Sequence, residues 1–158
     1  KDQNIPIIAD PKLTGLHRTH DVDWIIFQSR GFELMKRRIG EGEDSVAAQS
    51  LINSYGWKHL VVLAGEDGVT IYSKSYDTVH VACTLPQLRQ VIGLIDAAVV
   101  AIAVSISNGF SVADTALLTN AACECILSAE ASDSFSLSKD MLIHRVGEIA
   151  WNLQVSKR

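Results

Sequence analysis

Residues 90–123, QVIGLIDAAVVAIAVSISNGFSVADTALLTNAAC, decide how this chain is read. Gly93 and Asp96 stand at the mouth of an apolar run that lasts to Ile106 and stops at Asn108-Gly109, a helix C-terminal signal. Ser111 is followed three residues later by Asp114, a capping-box pattern that opens a second helix running to about Ala129. The apolar run is shorter than the ~20 residues of a membrane span, so it reads as a core helix. Its opening admits two readings. In one, Gly93 and Asp96 form a phosphate-binding turn with a catalytic carboxylate, because a helix N-terminus attracts anions. In the other, the glycine is an ordinary loop residue and Asp96 an N-cap.

Upstream, continuous apolar runs of strand length alternate with helical patterns. Asn4–Asp10 (NIPIIAD) is a short strand ending in the turn Asp10-Pro11-Lys12, where proline stops its continuation. Asp23–Gln28 (DWIIFQ) and His59–Ala64 (HLVVLA) are two more, and such unalternating runs suit a parallel sheet covered on both faces. Between them a helix spans Ser45–Tyr55, capped by Asp44 or Ser45 and closed by Gly56. Lys36-Arg37-Arg38 is the solvated end of another helix. Gly65-Glu66-Asp67-Gly68 is a tight turn, followed by strands Val69–Ser73 and Thr78–Ala82 as a meander at the sheet edge. The last helix spans about Ser138–Leu153, with Met141, Leu142, Val146, Ile149, Ala150 and Leu153 as its apolar stripe. The fold class is therefore α/β, with all 158 residues in a single domain.

The net charge of −4 and the absence of a basic patch interleaved with aromatics argue against nucleic acid as a partner. Lys1–Ala9 is no signal peptide and no span is long enough for a membrane, which points to a cytoplasmic protein. Cys83, Cys123 and Cys125 are an odd number without metal-ligand spacing, and read as free thiols of a reducing compartment. The five histidines have neither ligand spacing nor a triad partner, so no metal site is expected.

Three blocks carry a resemblance to a known family. PIIADPK, LVVLAGEDGVTIY and the 90–123 stretch resemble, in that order, segments of the ribokinase-like (PfkB) carbohydrate kinases, and of their heptose-7-phosphate kinase branch in particular. The last block matches the family signature D-x-T-G-A-G-D-T and its following helices without a gap. The resemblance implies a three-layer, Rossmann-like ribokinase sandwich, of which this chain corresponds to the C-terminal, nucleotide-side half. It also implies ATP as phosphoryl donor, Mg²⁺ beside it, and a sugar hydroxyl as acceptor. Asp96 would be the catalytic base, and Gly93, Leu94 and Ile95 the anion hole. Gly65, Glu66, Gly68 and Asn120 would lie at the nucleotide, with Lys12 and Gln28 near phosphate or metal.

Several positions depart from the family pattern. Gln90 stands at the leading aspartate, Ile92 and Ala97 at the threonines, and Ile95 at the second glycine. A branched residue disfavours positive φ and blocks close approach of a phosphate, so the anion hole is expected to be damaged. Gln28 replaces the asparagine of an N-x-x-E motif and Gly31 its acid, with Glu33 two residues on; losing that carboxylate weakens Mg²⁺ placement. Glu124 takes a glycine position and sets a bulky charge where close adenine-side packing is expected. These changes predict a degenerate kinase without efficient turnover unaided. The alternative is a non-catalytic pseudokinase module that pairs with itself or with a partner. A split enzyme, whose second chain supplies the N-terminal half, is a third reading.

Overall fold

The computed structural model describes residues 5–75, 77–87, 91–129 and 136–156. Strands β1 (Ile8–Ala9), β2 (Trp24–Gln28), β3 (His59–Leu63), β4 (Val69–Ser73), β5 (Thr78–Val81) and β6 (Leu153–Ser156) form one sheet in sequence order. The first three run parallel, and β3 through β6 pair antiparallel.

The unbroken apolar runs reflect a sheet covered on both faces. Ile25 and Phe27 of β2, with Leu60 and Val62 of β3, meet α1 (Ser29–Ile39) and α2 (Asp44–Tyr55) through Phe32, Met35, Ala47 and Leu51. Trp24, Ile26, Val61 and Leu63 point the other way, onto α3 (Leu94–Ser107) and α4 (Val112–Ser128) through Leu94, Ala98, Ile102 and Ala121. Small residues let those two helices approach closely, since Ala97 and Ala101 pack on Ala122 and Ile126. Helix α5 (Lys139–Ile149) lies over them and buries Ile149.

Several boundaries differ from the sequence reading. The first strand is only Ile8–Ala9, and Asn4 lies outside the described residues. Leu13–Arg18 forms a 3-10 turn that no apolar period announced. The N-cap of α2 is Glu43, not Asp44 or Ser45; the Ser45 hydroxyl instead donates to the Glu43 carboxylate. The β4–β5 meander is not the sheet edge, because β6 pairs with β5. The final helix stops at Ile149, so Leu153 belongs to that last strand and not to a helical stripe. Part of the Ser/Asp/Ala-rich loop, residues 130–135, lies outside the described residues. Ser111 does cap α4, accepting the Asp114 N–H at 3.1 Å.

Charge at the end of α1 divides unexpectedly. Arg37 and Arg38 are exposed, whereas Lys36 is 9% exposed and pairs with Glu33 at 3.0 Å and with Asp44. No helix among the described residues is long and apolar enough to cross a membrane.

Candidate functional site

The parallel strands deliver their C-terminal ends to one rim of the sheet, where open α/β folds bind ligands. Asp10-Pro11-Lys12 leaves β1, Gln28 closes β2, and Ala64–Gly68 leaves β3. The N-terminus of α3 joins them. Two clefts of about 340 Å³ each open there and share Gln28. Gly65, Glu66, Val91 and Leu94 line the first, and Asp10, Lys12, Gly31 and Ile95 the second.

Gly93 is the N-cap of α3 and has φ 84, a left-handed conformation suited to glycine. A Cβ there would meet nothing within 4 Å, so the space above the turn is open. Asp96 is the third residue inside the helix, which rules out its reading as the N-cap. Its carboxylate makes no hydrogen bond or ion pair with a described residue. In the first turn, the Leu94 N–H donates to the Val91 carbonyl at 3.3 Å. No described residue accepts the N–H groups of Ile95 and Asp96, donors of the kind that attract anions. Gln90, the counterpart of the signature's leading aspartate, lies outside the described residues.

Ile95 does not distort this turn. Among the described non-glycine residues only Asp21 has positive φ, so the backbone at Ile95 asks for no glycine. What the isoleucine changes is the wall: its half-buried side chain lines the Asp10–Lys12 cleft and packs on the core.

Sequence reasoning missed Asp10 as a site residue. Asp10 is exposed; partial desolvation first, and then the neighbouring Asp96 charge, push its carboxyl above the usual aspartate value, while Lys12 pulls it down. Asp10, Lys12 and Asp96 therefore form one electrostatic group, although they come from β1 and α3. Only the motif Asp-Pro-Lys at a strand exit could have signalled it.

Among the described residues no three metal-ligating side chains come together, although the Asp10 and Asp96 carboxylates influence each other. Lys12 is exposed beside the α3 turn. On the metal side, Gly31 offers no carboxylate and Glu33 is held by Lys36 at 3.0 Å. Glu33, two residues on from Gly31, thus has its partner on its own helix.

Two nucleotide-side residues stand differently from their sequence reading. Gly68 is buried under the turn, and Asn120 is 1% exposed. The Asn120 amide donates to Glu124 at 3.0 Å and to the Ala82 carbonyl at 3.4 Å, so Asn120 does not reach either cleft. Glu124 does not project a charge into a binding surface. It is 0% exposed and accepts the Thr84 N–H at 2.7 Å, the Thr84 hydroxyl at 2.9 Å and Arg145 at 2.5 Å. All three cysteines are free. Burial drives the Cys123 thiol up to about 12, leaving it unreactive.

Comparison with known proteins bears on the fold. No protein-family model matches the sequence. Over 120 residues the chain is 25% identical to the bifunctional protein HldE of Aliivibrio fischeri, covering 75% of this chain and 25% of that protein. It is likewise 25% identical over 137 residues to HldE of Photobacterium profundum, covering 86% of this chain and 29% of that protein. The chain thus spans about a quarter of the length of these curated relatives. Ribokinase from Thermotoga maritima superposes with a TM-score of 0.78 at 18% identity, over 92% of this chain and 50% of that one. Phosphofructokinase-2 from Escherichia coli gives 0.75 at 16%, over 94% and 48%. The chain has the ribokinase-like α/β fold, and its length matches about half of each of those kinases.

Proposed function

We propose that this chain is the nucleotide-side part of a carbohydrate kinase of the ribokinase-like, PfkB type, with a heptose phosphate as the class of acceptor and a degenerate active site. The observation that carries the reading is the α3 turn. Left-handed Gly93 opens α3 at the strand ends, Ile95 of its first turn shares a cleft with Lys12, and the Asp96 charge reaches Asp10. Similarity to HldE and superposition on two sugar-phosphate or sugar kinases support the same class.

In this reading the α3 amides and Lys12 hold the transferring phosphate, and Asp96 takes the proton of the attacking sugar hydroxyl. The Gly65–Gly68 turn borders the nucleotide. Magnesium bound with ATP would neutralise the phosphates. Gly31 and the Lys36-bound Glu33 supply it with no carboxylate, which supports weak or lost turnover. A cytoplasmic location follows from the substrates. The test is phosphoryl transfer from Mg-ATP to heptose phosphates, by this chain alone and with a polypeptide supplying the rest of the fold. Efficient turnover by the chain alone would contradict degeneracy.

One observation favours the second reading, a non-catalytic module acting through self-association or a partner. An apolar groove of about 520 Å³ runs between α3, α4 and α5, with Val100, Phe110 and Ile143 along it 57%, 47% and 60% exposed. Light scattering tests this: a strictly monomeric chain counts against self-association.

A further inference from the structure

The carboxylate of Glu124 acts beyond its own helix. Thr84, which gives it two hydrogen bonds, lies three residues past the end of β5, at the start of the connection to α3. The Arg145 guanidinium reaches both partners, at 2.5 Å from Glu124 and 3.1 Å from the Thr84 hydroxyl. Asn120 ties the same backbone a second time, through the Ala82 carbonyl.

That piece of backbone also supports the turn after β3. Gly68, with φ 89, lies so close to it that a Cβ would come within 2.1 Å of the Val81 carbonyl oxygen and 2.6 Å of the Cys83 nitrogen. The turn therefore rests on residues 81–83, and the next residue is the one that Glu124 grips. Four donors from three elements converge on two carboxylate oxygens, an arrangement an amide would break by turning an NH₂ toward one of them. A buried charge costs desolvation, so a purely space-filling role would be met better by an apolar side chain.

We propose that Glu124 is a positioning residue for the Gly65–Gly68 turn, acting through residues 82–84, with Arg145 holding its carboxylate in place. The functional meaning rests on reading that turn as the nucleotide edge. Glu124 thus gives the site a rigid floor at a position where the family pattern has a glycine.

Amide hydrogen exchange of the ligand-free chain tests this. The turn reports on itself, because the Ala64, Asp67 and Gly68 amides are all bonded within it, at 2.9, 3.3 and 3.1 Å. In Thr84→Val these amides exchange about tenfold faster while α2 and α4 keep their protection. Thr84→Ser, which restores the hydroxyl, returns the wild-type rates. Glu124→Gln loosens the turn as well and also releases α5. Unchanged turn amides in Thr84→Val, or a rise spread evenly over α2, α4 and the turn, would overturn the proposal. If Glu124→Gln does not fold, the valine and serine variants still decide. Exchange is read without ligand, so its outcome is separate from whether nucleotide binds.

Discussion

Nη2 of Arg145, on α5, lies 2.5 Å from Oε2 of Glu124, a residue of α4 with no exposed surface. Helix α5 buries Ile149 and packs Leu142 and Val146 on the core, and this ion pair adds a buried polar tie to α4. Removing one partner strands the other charge in the interior. Arg145→Met is expected to cost about 3 kcal/mol by denaturant unfolding. A double replacement, Glu124→Gln with Arg145→Met, should cost less than the sum of the single changes, since no charge is left unpaired. Equal additivity would show that the pair contributes little.

Gly31 lines the Asp10–Lys12 cleft in the first turn of α1, and a Cβ there would sit 3.4 Å from the Phe27 ring, an ordinary contact. The backbone there accepts a Cβ. Gly31→Glu combined with Gln28→Asn should tighten ADP binding in Mg²⁺ by about tenfold, roughly 1.4 kcal/mol, and leave metal-free binding unchanged. An equal effect with and without Mg²⁺ would place the new carboxylate away from the metal.

Asp10 has its carboxyl raised above 3.8 by partial desolvation and then by Asp96, against Lys12. The folded chain therefore binds more protons than the unfolded one between 3.8 and the raised value, and stability falls as pH rises through that window. Asp10→Asn removes the fall. The variant should melt higher than wild type at neutral pH, with the difference vanishing below 3.8. A lower melting temperature at neutral pH would mean that the carboxylate has a stabilising partner.

His59 titrates the opposite way. Burial, and after it Lys58, depress its pKa from 6.5 to about 4, with Asp23 opposing. The unfolded chain then binds the extra proton between those values, so stability is lost as pH falls from 6.5 towards 4. A shift of this size corresponds to a loss on the order of 3 kcal/mol across the window. His59→Gln should flatten that part of the profile. Parallel loss in both chains would contradict the assignment.

Local signals were legible and distant partners were not. The Ser111 cap with Asp114 and the helix that starts after Gly93 lie within a few residues of their structural consequence, and both elements are present in the fold. The last strand was hidden because Val146, Ile149 and Leu153 continue a helical spacing, while what pulls Leu153 into the sheet is its pairing with Val81. Glu124 was misread for the same reason: Thr84 lies 40 residues away along the chain, and nothing local says that the carboxylate turns inward. Asp10 escaped notice because the charge that perturbs it, Asp96, belongs to another element. Ile95 was assigned a backbone cost from the family's glycine, whereas its helical φ puts the change in the cleft wall.

In the proposed function, a ribokinase-like nucleotide-side site keeps its phosphate turn and lacks its metal carboxylate. Calorimetric titration of the chain with ATP, with and without Mg²⁺, tests it most directly. The expected dissociation constant is about 1 mM or weaker, unimproved by the metal. Binding at about 10 μM or tighter that depends on Mg²⁺ would contradict it.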